Sequence, residues 1–181
     1  MPDLAMRLTR SFAVPLSVGV VSLTLLALVA ISVVALVYGG HSRFLCLCLD
    51  VHQPVTAALN LVKLLLFPAL TEELIFRVLL LPPPTTKTPT GSWLAWTALS
   101  VGLFVVYHVI FSWLRPQAQA VLRDRRFLVL VTWVGIVLST LYGLTGSLWA
   151  IALVHWLIVV GWLYGFGGRK RLRGQVPTGA T

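Results

Sequence analysis

Glutamate occurs twice in this chain of 181 residues, at Glu72 and Glu73, side by side in an apolar run from Val55 to Leu81. Ionisable groups are at their most expensive in such a run, roughly 2.5–3.5 kcal/mol each at the centre of a membrane helix. Two carboxylates and the guanidinium of Arg77 must therefore pair with one another or face a wet cavity. Glu73 and Arg77 stand four apart, acid first, which is the favourable order for a pair on one helical face. Glu72 has no such partner in its own segment. An unpaired acid within a membrane marks a functional site by default.

Two histidines lie in other apolar runs, His108 in Phe104-Val105-Val106-Tyr107-His108 and His155 in Ala152-Leu153-Val154-His155-Trp156. At 1.5 Å per helical residue, Glu72 lies about 14 Å, His155 about 12 Å and His108 about 22 Å from the face carrying the Pro82–Ser92 linker. Packed helices could bring an acid and two histidines at those depths into one dry site. The alternative for each histidine is a bond to a nearby backbone carbonyl, holding helices together. Two histidines beside two buried acids favour the site. A second cluster, Cys46 and Cys48 flanked by His41 and His52, matches no zinc spacing. It reads as small residues near a membrane boundary.

The elements that must position these groups are apolar. Hydrophobic residues make up 58% of the chain and charged ones only 10%, against roughly 25% charged in soluble domains. The pattern predicts an all-α, polytopic transmembrane bundle of about five spans: 13–38, 54–81, 93–114, 127–144 and 147–166. The organisation expected is a leader, first span and polar loop over 1–53, a core over 54–168 and a basic, disordered tail over 169–181. Pro68 predicts a kink just before Thr71. The net charge of +9 sits in short segments flanking apolar runs, as at a membrane surface, so nucleic acid is not an expected partner. The first loop, the third loop and the carboxyl tail hold most of the arginines, which puts that face in the cytoplasm.

Glu72-Glu73-x-x-x-Arg77 resembles the first motif of the CPBP family, the CAAX protease and bacteriocin-processing family of intramembrane endopeptidases. Phe104-x-x-x-His108 is similar to its second motif, and His155 stands at the histidine of its third. The resemblance covers about Val55 to Phe166. It departs at Val159, where the family has asparagine or aspartate one turn after the histidine. The resemblance implies a helical fold around a water-filled cavity, with Glu72 as general base helped by His108 and His155 stabilising the oxyanion. Glu73, Arg77 and Phe104 would support them. It also implies a membrane-associated peptide substrate, either a prenylated CAAX type or a leader peptide, and, from the chain's small size, a bacterial cell membrane. Glu72, His108 and His155 would form a His/His/Glu zinc set if a metal takes part. The rival readings are an inactive scaffold of the same fold, which Val159 suggests, and a proton-coupled transporter.

Overall fold

In hydrocarbon, backbone N–H and C=O groups must be satisfied within their own segment, so apolar runs of this length become helices. The computed structural model describes residues 4–49 and 54–175. Its helices are α1 (Leu4–Ala13), α2 (Val18–His41), α3 (Pro54–Leu64), α4 (Thr71–Glu73), α5 (Thr90–Leu114), α6 (Gln119–Leu122), α7 (Arg125–Thr145), α8 (Leu148–Val160) and α9 (Gly168–Leu172). Wide π-type turns at Leu65–Leu70, Leu74–Leu79 and Gly161–Gly165 adjoin α3, α4 and α8. Side-chain caps fix the starts: Ser17 accepts from Val20 N–H, Asp124 from Arg126 N–H and Ser147 from Ala150 N–H. Gly146, at φ 65°, ends α7 in the left-handed conformation that glycine adopts without a Cβ penalty.

Among the described residues, four helices are long and apolar enough to cross a membrane: Val18–His41, Thr90–Leu114, Arg125–Thr145 and Leu148–Gly165. The fifth expected span, 54–81, is not one continuous helix. Phe67 leaves the helical region at φ −137° and ψ 114°, immediately before Pro68, because proline disfavours the α conformation in the residue that precedes it. Beyond this break Thr71–Glu73 is a single α turn between two π-type turns. Both arms lean on α8: the arm before the break through a bond from Trp156 Nε1 to Leu61 O, and the arm after it through Glu73 and His155.

The four long helices expose apolar side chains outward, among them Leu26, Val29, Val37, Leu94 and Val106. That outer belt is the surface a bilayer covers. Inside, α2, α7 and α8 pack through Ile31, Leu138, Tyr142, Ile151 and Val154. The two ends differ in chemistry. At one, Arg126 bonds Ser42 O, Arg171 bonds Arg43 O, and Cys48 pairs with the chain near Phe166. The first loop, the third loop and the basic tail therefore share a face, as the loop charges indicate. At the other, the amino-terminal segment, expected as a polar leader, forms α1. Phe12 of α1 meets Trp149 edge-on at 5.9 Å, and the Arg7 guanidinium donates to Val78 O and Leu81 O, closing the end of the acidic segment.

Candidate active site

The broken segment creates the site. Wide turns on both sides of Thr71–Glu73 change the register of its side chains, as such turns often do at functional positions. A carbonyl in the second turn, Phe76 O, accepts from Ser100 Oγ, which ties the segment to α5. Adjacent helical residues point roughly 100° apart, so Glu72 and Glu73 address different neighbours.

Glu73 is fully buried and faces the protein. Its Oε1 receives Arg77 Nη1 at 3.2 Å and His155 Nδ1 at 2.7 Å. Arg77, also fully buried, sends Nη2 to Gly135 O at 3.4 Å and lies 4.3 Å over the Phe104 ring. Gly135 leaves room for that approach, since a Cβ there would stand a tight 3.3 Å from Arg77 Nη2 and 3.4 Å from Val101. The expected Glu73–Arg77 pair is thus present, and it has a third member, His155, that sequence spacing did not reveal.

Glu72 faces a cavity of about 1000 Å³, which Phe104, Tyr107, His108, His155 and Val159 also line. The Glu72 carboxylate is 7% exposed, and its Oε2 has no hydrogen-bond partner in the protein. His155 Nε2 stands 3.8 Å from that oxygen. This is too long for a direct bond, and the oxygen itself is buried. The phenol of Tyr107 lines the same cavity as this carboxylate. Tyr107 is a site residue that motif reading passed over. The available signal was a phenol inside an apolar span, next to His108.

His108 joins the group through Phe104. Its ring lies edge-on to Phe104 at 4.7 Å, and His155 meets the same Phe104 at 6.1 Å. His108 Nδ1 is 2.8 Å from Phe104 O. A carbonyl only accepts, so Nδ1 carries a proton. Glu72, Glu73, Arg77, Phe104 and His155 are thus brought into direct contact, while His108 stands one aromatic ring away.

The His/His/Glu zinc set does not form. No three His, Cys, Asp or Glu side chains among the described residues are grouped closely enough to hold a metal ion. His108 has one ring nitrogen committed to the Phe104 carbonyl. Cys46 and Cys48 are free thiols, and His52 lies outside the described residues.

The cavity wall is apolar in one part and basic in another: exposed Phe67 and Leu36 line it, and so do Arg115 and Gln117. Helix α3 packs on α8, whereas α5 meets the acidic segment at Leu74–Leu79, beyond the break.

A family model described as type II CAAX prenyl endopeptidase Rce1-like matches residues 54–161, more than half of the chain. No curated protein and no solved structure matches it. The matched stretch runs from the broken acidic segment to the end of the His155 helix, so the chain belongs to the type II CAAX prenyl endopeptidase Rce1-like family, a family of membrane proteases.

Proposed function

We propose that this chain is an intramembrane endopeptidase that hydrolyses peptide bonds of membrane-associated substrates with a water activated by Glu72. The observation that carries the reading is the Glu72 carboxylate, buried beside a large cavity with one oxygen lacking a protein donor and His155 Nε2 at 3.8 Å. In the reaction, Glu72 takes a proton from water as the water oxygen bonds to the scissile carbonyl carbon. His155 donates to the resulting oxyanion, the role expected of a preorganised donor in a dry site. Glu72 then passes its proton to the amide nitrogen, the C–N bond breaks, and the carboxylate is regenerated. His108 lines the same cavity one ring away and assists from there as a polar group of its wall.

The substrate class follows from the cavity and the family together: a peptide whose lipidated or apolar part reaches the cavity past Phe67 and Leu36. Prenylated CAAX-type peptides and leader peptides both meet that description. The inactive scaffold is the second reading, favoured by Val159, which lines the cavity where the family has an amide or acid.

The test is cleavage of a lipidated, membrane-anchored peptide in detergent by wild type and Glu72→Ala. Product from wild type and none from Glu72→Ala is the expected result. No product from either supports the scaffold, and equal product from both removes Glu72 from the chemistry.

A further inference from the structure

We propose that Arg115 is a specificity residue of the cavity, receiving a carboxylate at the C-terminal end of a peptide that is cut about three to five residues earlier. The proposal rests on the protease reading and adds what the substrate must carry beyond the cut. Among the described residues that line the cavity, Arg115 is the one lysine or arginine. It is the C-cap of α5, at the start of the third loop on the basic face. Other arginines of that face are engaged: Arg123 donates to Ser112 Oγ, Arg126 to Asp124 and Arg171 to Arg43 O. The Arg115 guanidinium has no hydrogen bond or ion pair among the described residues and lies 5.7 Å from the Phe111 ring centre. A planar fork of donors with its N–H edge unspent suits a carboxylate, which accepts two parallel hydrogen bonds.

Position ties this guanidinium to the reacting end. Phe104, His108 and Phe111 line the cavity from one face of α5, at spacings of four and three, and Arg115 follows four residues later. The Glu72 end lies level with the first of these. His155, 3.8 Å from Glu72 Oε2, meets the Phe104 ring at 6.1 Å, and His108 meets it at 4.7 Å. Along the helix axis Arg115 lies about 10 Å beyond His108 and about 16 Å beyond Phe104. An extended chain advances about 3.3 Å per residue, so a peptide with its scissile carbonyl at Glu72 reaches Arg115 after about three to five residues.

Charge decides which end of the peptide lies there. An amino terminus is a cation and is repelled by Arg115, whereas a carboxyl terminus is attracted. The three carboxylates among the described residues do not compete: Glu73 receives Arg77 and His155, Asp124 receives Arg126, and Glu72 stands at the reacting end. An anion leaving water for a largely apolar cavity needs such a partner. A chain that runs on past this point brings no terminal carboxylate to the guanidinium, so the cavity favours peptides that end shortly after the cut.

The test compares full-length wild type and Arg115→Gln in micelles. Arg115 is exposed, so its loss strands no buried charge. One membrane-anchored peptide is shortened a residue at a time from its C-terminal end, each length made as free acid and as amide, with the cut mapped by mass spectrometry. The readouts are kcat and KM, and Kd from fluorescence anisotropy in the Glu72→Ala background, which needs no turnover. Free acids ending three to five residues after the cut should bind about 10–100-fold tighter than their amides, the effect of hydrogen bonds to a charged group. The difference should appear in KM, with kcat changed less than about threefold. In Arg115→Gln the preference should fall below about threefold, and Arg115→Lys should keep part of it. An amide ending in aspartate separates the sources: binding like the free acid means a side-chain carboxylate serves as well, and binding like the amide assigns the site to the terminus. A wild-type preference below about threefold overturns the proposal, as does one that survives Arg115→Gln or is equal at every length. Equal weakening of acid and amide in Arg115→Gln also overturns it, marking a headgroup or packing contact. Selective binding of acids without any cleavage would end the protease reading and leave the carboxylate site standing.

Discussion

Arg77→Ala should destabilise the fold far more than Glu72→Ala, although the two residues are five positions apart on one segment. Arg77 is fully buried and makes three contacts at once: 3.2 Å to Glu73, 3.4 Å to Gly135 O and 4.3 Å over Phe104. Removing it strands the Glu73 carboxylate, and breaking a buried pair in this way costs about 3–5 kcal/mol. His155 still bonds Glu73 at 2.7 Å, so the lower end, about 3 kcal/mol, is the expected loss. Glu72→Ala removes a carboxylate whose Oε2 has no partner. Relief of its desolvation offsets the lost packing, and the net change stays within about 1 kcal/mol. The assay is unfolding in mixed micelles by a denaturing detergent, followed by tryptophan fluorescence and circular dichroism. Equal destabilisation by the two variants refutes the division between a structural and a reactive carboxylate. An Arg77→Ala protein as stable as wild type refutes the buried pair itself.

Val159→Asn should raise turnover of the membrane-anchored peptide, by up to about 10²-fold if the amide acts as an added oxyanion donor, and the gain should vanish in Val159→Asn/Glu72→Ala. A slower Val159→Asn enzyme would mean that another residue already supplies that donor. At the basic end, hydrogen bonds from Arg126 hold the Asp124 carboxyl below its usual range. A group whose folded value is depressed contributes stability that is present above its unfolded value, about 4, and is lost as pH falls through the folded one. Unfolding measured between pH 5 and pH 2 should therefore show a shallower acid loss in Asp124→Asn, and an unchanged acid limb would remove that contribution.

The spans were legible wherever burial in lipid leaves a long apolar run, which is why 93–114 and 127–144 fall within α5 and α7. The kink was legible from Pro68 because proline acts locally, on its own turn. The loss of a continuous second span was not, since the wide turns around Glu72 and Glu73 depend on α5 and α8 packing against them. Helix α1 escaped the reading for a different reason. At ten residues it has no apolar run, and its order comes from Arg7 bonding carbonyls more than seventy positions away. In the site, the carboxylates, both histidines and the Glu73–Arg77 pair could be picked out by cost and spacing. The bond between Glu73 and His155 spans 82 positions, and nothing in local spacing encodes which of two adjacent acids turns toward another helix.

The exposed apolar residues Phe67 and Leu36 on the cavity wall change what concentration would mean under the proposed activity. A peptide anchored in the bilayer would reach such a cavity by diffusing in a plane, so its encounter rate would follow its surface density among the surrounding lipids rather than its amount per volume of water. Adding inert detergent at a fixed bulk substrate level thins that surface population and slows turnover, whereas adding buffer leaves it unchanged. Apparent affinities are then comparable between preparations only as mole fractions, and crowding of a lipidated substrate into a small membrane area acts on the protein as a form of local control.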